Sequence, residues 1–229
     1  MPMPQTHPTD DRPPRAPVGL FLVPPHAHRP RQQSGASLPD WYGIHPQHVA
    51  HLIARYTRDG DAVLDLDAHP TIAAAARHLH RHPSGGIAQR EVSPEESDGS
   101  TAQPTAPPAG LIVVTLPRLD VDSRDVSSLS RAIDAWQAEL RPGGFLLTLL
   151  TAGPGTEAIG HRSSVIAAAR TAGLIYHQHI PAVLVPLPPT EPRAELSPAC
   201  RPPLLDGRHV RAHHDLLAFA STIPEAADA

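Results

Sequence analysis

The sequence predicts an open, mostly parallel, doubly wound α/β sheet, and three observations carry that prediction. Apolar runs at 62–66, 111–116 and 145–150 have the composition of strands covered on both faces. Segments of helical period stand between and around them. Strands alternating with helices at this spacing form crossover units, which lay the strands parallel. With 229 residues the chain suits one such domain plus flanks.

The elements follow in order. His45-Pro46 opens a helix, with Pro at the first helical position and Val49, Leu52, Ile53 and Tyr56 at i, i+3, i+4 and i+7. Asp59-Gly60-Asp61 ends it in a turn. Ala62 to Leu66 is a short buried strand, followed by Pro70 and an Ala-rich helix from Thr71 to about His80. Gly85 to Ala88 reads as a second short strand. Leu111 to Leu116 is the clearest strand. Asp125 and Ser127 offer caps for a helix with the apolar stripe Leu129, Ile133, Trp136 and Leu140, which Arg141-Pro142-Gly143-Gly144 stops. Phe145 to Leu150 is the next strand. Ser163 and Ser164 cap a helix through Val165, Ile166 and Ala169, with Gly173 as a left-handed C-terminal cap. Leu174 to Val185 is strand-like, broken or bent at Pro181, and His214 to Phe219 closes the sheet.

Proline supplies 29 residues, well above the usual share of about 5%. Much of it lies in an arm at 1–40 rich in Pro, Arg, His and Gln, and in two Pro-rich loops at 91–109 and 186–206. These stretches hold too little apolar surface to offset chain entropy, so the arm is expected to be disordered. The ordered domain is expected to span 41–220, followed by a tail at 221–229.

All 19 basic residues are Arg, set against 23 acidic ones for a net charge of −4. That balance excludes a strongly basic nucleic-acid footprint for the whole chain while leaving room for a local Arg patch. A single cysteine, Cys200, excludes a disulfide scaffold. No run of about 18 apolar residues is present, so no membrane partner is expected. The N-terminus lacks a basic region followed by an apolar stretch, and a cytoplasmic location is expected.

The segment from His45-Pro46 through Tyr56-Thr57-Arg58-Asp59-Gly60-Asp61-Ala62-Val63-Leu64-Asp65, with its loop and Ala-rich helix, resembles the cofactor entry of S-adenosylmethionine-dependent DNA methyltransferases that modify exocyclic amines. Leu111 to Leu119 occupies the place of the family's "Val-Thr-Ser-Pro-Pro-Tyr" strand end. Leu140-Arg141-Pro142-Gly143-Gly144-Phe145-Leu146 is similar to a helix-to-strand turn common among methyltransferases, and His214 to Phe219 resembles the last strand. The resemblance covers roughly Trp41 to Ala220. It implies a Rossmann-like methyltransferase sheet, S-adenosylmethionine as cofactor and DNA as a partner.

The resemblance also implies a site. Asp65 would receive a cofactor amino group or orient the loop, although a carboxylate there also closes a turn or caps the next helix. His69-Pro70-Thr71 stands where the family has a Gly-x-Gly loop, which makes His69 and Thr71 cofactor-side candidates together with Asp67. Glu91 is the candidate for the ribose-binding acid, and equally the first residue of an acidic linker. Pro117 and the carbonyl before it would flank the acceptor. Thr115 is the nearest hydroxyl, which alternation points to the other face of the strand. Leu116-Pro117-Arg118-Leu119 carries neither the family's polar first residue nor its aromatic fourth, so no side chain there polarises an amine or stacks on a base.

Other groups read as ordinary structure. The pairs and triplets of histidine at 26/28, 78/80/82, 177/179 and 213/214 lack carboxylate or cysteine at zinc-ligand spacing, and no metal site is assigned. Gly153-Pro154-Gly155 is a turn, because a chain without lysine has no Walker loop. Two functional readings follow: a divergent DNA-methylase-like methyltransferase with altered catalytic motifs, or a non-catalytic module on the same sheet that meets a protein partner through the N-terminal arm.

Overall fold

The computed structural model describes residues 38–85, 107–122, 125–151, 161–184 and 213–222. The arm before residue 38, Ile87, Glu91, most of both Pro-rich loops, the 153–155 turn, Cys200 and the tail from 223 lie outside the described residues.

Helix α1 (Pro46–Tyr56) starts as its sequence dictates: Pro46 occupies the first turn, and the His45 side chain accepts from the Gln47 amide at 3.2 Å. Strand β1 (Ala62–Asp65) leads to α2 (Pro70–His78), capped by His69. Strand β2 is His82–Gly85, three residues ahead of the expected 85–88. Strand β3 is Ala109–Leu116, buried throughout, and α3 (Val126–Gln137) is capped by the Asp125 carboxylate, which accepts from Ser127 and Ser128 at 2.9 and 3.1 Å. Then come β4 (Leu140–Leu150), α4 (His161–Thr171), β5 (Ile175–Val183) and β6 (His213–Ala220).

Two expectations need correction. Arg141-Pro142-Gly143-Gly144 does not separate helix from strand. Leu140 already pairs with Ala109, four residues then bulge opposite Gly110, and the ladder resumes at Phe145 opposite Leu111. The bulge follows from the missing amide of Pro142 and the positive φ of Gly143 (69°). Pro181 does not break β5 either. It pairs in register with Asp215 on an outermost strand of the sheet, where a missing donor costs little, and the irregularity falls instead between Tyr176 and Gln178.

The strand order is β2-β1-β3-β4-β6-β5. The ladders from β2 to β4 are parallel, whereas β6 is antiparallel to both β4 and β5. The carboxyl ends of β1 to β5 and the start of β6 therefore share one edge. Alternating side chains divide the core into two layers. Val63, Leu111, Val113, Leu147 and Leu149 pack with α1 and α2, while Leu64, Ile112, Val114, Leu116 and Leu146 pack with α3 and α4. The opposite edge is locked by Asp61, which pairs with Arg141 through both oxygens (3.0 and 2.8 Å) and accepts the Arg58 amide at 2.7 Å. A Cβ on Gly110 would lie 2.4 Å from that carboxylate, so only glycine lets the two strands close there.

Candidate functional site

The chain leaves β1 for β2 on one side and returns as β3 on the other, so strand order reverses between β1 and β3. In open α/β sheets the crevice at the carboxyl tips of such a pair is the ligand position. Most of the candidate residues read from the sequence meet there.

Asp65 ends β1 and is 4% exposed. One carboxyl oxygen accepts the Asp67 amide at 3.0 Å and the other accepts the His69 amide at 2.6 Å. It therefore closes the loop, and burial pushes it up to about 6 against those two hydrogen bonds. Asp67 reaches across the crevice: one oxygen accepts the Thr115 amide at 2.8 Å and the other pairs with the Arg118 guanidinium. Arg118 also binds Asp120 through Nε at 3.0 Å. Ala68, between Asp67 and His69, has φ 51°, so the loop takes the tight turn without a glycine.

His69 accepts the Thr71 amide on Nδ1 at 3.3 Å and caps α2. Burial lowers its pKa, against the charge of Asp67. Thr71 is fully buried and donates its hydroxyl to the Pro39 carbonyl, which ties that residue to the first turn of α2. Thr115 lies on the α1/α2 side, opposite Leu149, as alternation requires; its buried Oγ1 has no hydrogen-bond partner among the described residues. Pro117 is exposed just past the tip of β3. The carbonyl before it, on Leu116, accepts both the amide and the hydroxyl of Thr151, at 2.9 and 3.2 Å. Glu91 lies outside the described residues.

Sequence reasoning missed Arg118, Thr151 and a second group further along the same edge. His179 Nε2 lies 2.8 Å from Asp215 Oδ1, His213 Nε2 lies 3.5 Å from the same oxygen, and Arg162 of α4 stands 4.0 Å from Asp215 Oδ2. The only signal was the histidine pairing at 177/179 and 213/214, followed at once by Asp215. Among the described residues no three His, Cys, Asp or Glu side chains are arranged to hold a metal ion, and no helix is long and apolar enough to cross a membrane.

No protein-family model matches the chain, and no curated protein matches it at a significant level. Among solved structures it is similar to the [4+2]-cyclase SpnF, 13% identical over 83% of this chain and 85% of that one, with a TM-score of 0.45. A methyltransferase from Pyrococcus furiosus matches at 12% identity over 78% and 83% of the two chains, with a TM-score of 0.43. DesVI of Streptomyces venezuelae matches at 12% identity over 79% and 92%, also at 0.43. At these values the likenesses place neither an activity nor a ligand on this chain.

Proposed function

We propose that this chain is a methyltransferase-type protein that takes S-adenosylmethionine at the joined tips of β1 and β3. The observation that carries the reading is the Asp67 and Arg118 pair at the switch-point crevice. The amino-acid end of the cofactor bears one ammonium and one carboxylate, and Asp67 and Arg118 offer the complementary charges, each side chain about one-fifth exposed (19% and 20%). Binding would exchange one ion pair for two, so no unpaired charge is buried. The buried Thr115 hydroxyl supplies a further polar group that has no hydrogen-bond partner among the described residues. These residues fit the group.

Bound there, S-adenosylmethionine supplies a sulfonium methyl for transfer to a nucleophile. The protein's own part is positional. Asp65 holds the loop through two amides, His69 caps α2, and the Thr71 bond to Pro39 fixes the chain before α1 against the start of α2. An exocyclic DNA amine, the acceptor that the family resemblance implies, finds less support. Leu119 is fully exposed and offers no ring for a base to stack on, and the Leu116 carbonyl already accepts two bonds from Thr151.

One observation favours a second reading, the non-catalytic module: Asp67 spans the crevice by protein contacts alone, to the Thr115 amide and to Arg118. Calorimetric titration with S-adenosylhomocysteine separates the two. The methyltransferase reading expects one saturable site, weakened at least tenfold by Arg118→Gln. Absence of binding at millimolar ligand would leave the module.

A further inference from the structure

We propose that His179, oriented by Asp215, is the proton acceptor of a second subsite on this edge, one that takes a phenol-like hydroxyl. The subsite itself rests on geometry alone; its use in methyl transfer rests on the cofactor reading above.

The position comes from register. Leu116 pairs with Leu150, Leu150 with Asp215, and Asp215 with Pro181. Adjacent strands lie about 4.8 Å apart, so Asp215 stands about 10 Å across the sheet from the tip of β3. Asp215 thus shares the carboxyl edge with the tip of β3. His179 and Asp215 lie on the α3/α4 side, where Arg162 in the first turn of α4 faces the second Asp215 oxygen. The side chains of His179 and Asp215 are 18% and 22% exposed, sheltered yet open to a ligand.

The chemistry comes from the pairing. A carboxylate oxygen accepts, so with Nε2–H donating to Asp215 the ring's lone pair is left on Nδ1. That is an imidazole held in one tautomer and one orientation, the arrangement of a general base. Asp215 is then a positioning residue. A base of imidazole strength points to the acceptor class. A neutral amine attacks with its own lone pair and sheds a proton afterwards, whereas a hydroxyl must lose its proton as it attacks. In transfer, the acceptor O–H bond breaks and the proton goes to Nδ1. An oxygen lone pair forms the new O–CH3 bond as the S–CH3 bond of the sulfonium donor breaks, and that electron pair remains on the sulfur of the departing thioether. The imidazolium then returns its proton to solvent.

The test uses the full chain with 15N-labelled histidine and no cofactor, titrated with p-cresol and, in parallel, with p-methylanisole, which lacks the proton. Saturable p-cresol binding that shifts the His179 Nδ1 resonance, at least tenfold tighter than p-methylanisole and lost in His179→Gln, is expected. Equal response to both probes, no response to either, or unchanged binding in His179→Gln would overturn the proposal. With a methyl donor present, transfer to p-cresol should fall about 100-fold or more in His179→Gln and return in part when imidazole is added to His179→Ala. Failure of the donor to bind would defeat the cofactor reading alone, because the cresol titration is made without it.

Discussion

Asp65 shows how a single residue couples the site to solution conditions. Its folded pKa of about 6 stands above the ordinary 3.8, because burial disfavours the charged form. The folded protein therefore holds this proton more tightly than the unfolded chain. The stability it contributes is complete below about pH 4 and falls as pH rises to about 6, by an amount on the order of 2–3 kcal/mol. Asp65→Asn should remove this dependence. Urea unfolding at pH 4 and pH 7 should show the difference between wild type and variant changing by that amount; a difference independent of pH would contradict it. At this scale the sequence was partly legible. Asp65, Asp67, His69, Thr71 and Thr115 were candidates through the family resemblance, and they lie at the ends of β1 and β3 and in the loop and first turn of α2 that follow β1. Their partners did not stand out, because Arg118 meets Asp67 across 51 positions and Thr151 meets Leu116 across 35, and no local pattern encodes such contacts.

Single elements answer to local chemistry, and their ends can be tested one at a time. The Asp125 carboxylate satisfies two amides at the start of α3 that have no partner within the helix. Asp125→Ala should cost about 1 kcal/mol in chemical denaturation, and no loss would show that water serves those amides equally well. Gly110→Ala is expected to cost more, about 1–3 kcal/mol, since its methyl would collide with Asp61 while Arg141 holds that carboxylate in place. The paired variant Gly110→Ala with Asp61→Ala should recover part of that loss, and strict additivity would rule out the collision as the cause. The helices were legible in the sequence because period and caps agreed, as at Pro46 and Asp125. β2 and the first residues of β4 were less so. His82-Pro83-Ser84-Gly85 has almost no apolar content, and the bulge at 141–144 imitates a turn until the ladder on its far side is seen.

For the molecule as a whole, the decisive feature is the arrangement of the strands. The sequence predicted a mostly parallel sheet, and β1 does lie parallel between β2 and β3. It did not reveal that the final strand enters antiparallel between β4 and β5, because register and neighbour choice are long-range properties. That insertion brings Asp215 beside His179 and extends the carboxyl edge beyond the β1/β3 crevice. A ligand that binds only the folded chain raises its stability by mass action, by about 2.7 kcal/mol at one hundred times its dissociation constant. S-adenosylhomocysteine should therefore raise the unfolding temperature in a concentration-dependent way, and adenosine, which lacks the charged end, should do so less. The most direct measurement is calorimetric titration of the full chain with S-adenosylmethionine. One site per chain, weakened at least tenfold by Arg118→Gln, is the expected result; no heat and no thermal shift at millimolar cofactor would contradict a cofactor site at the tips of β1 and β3.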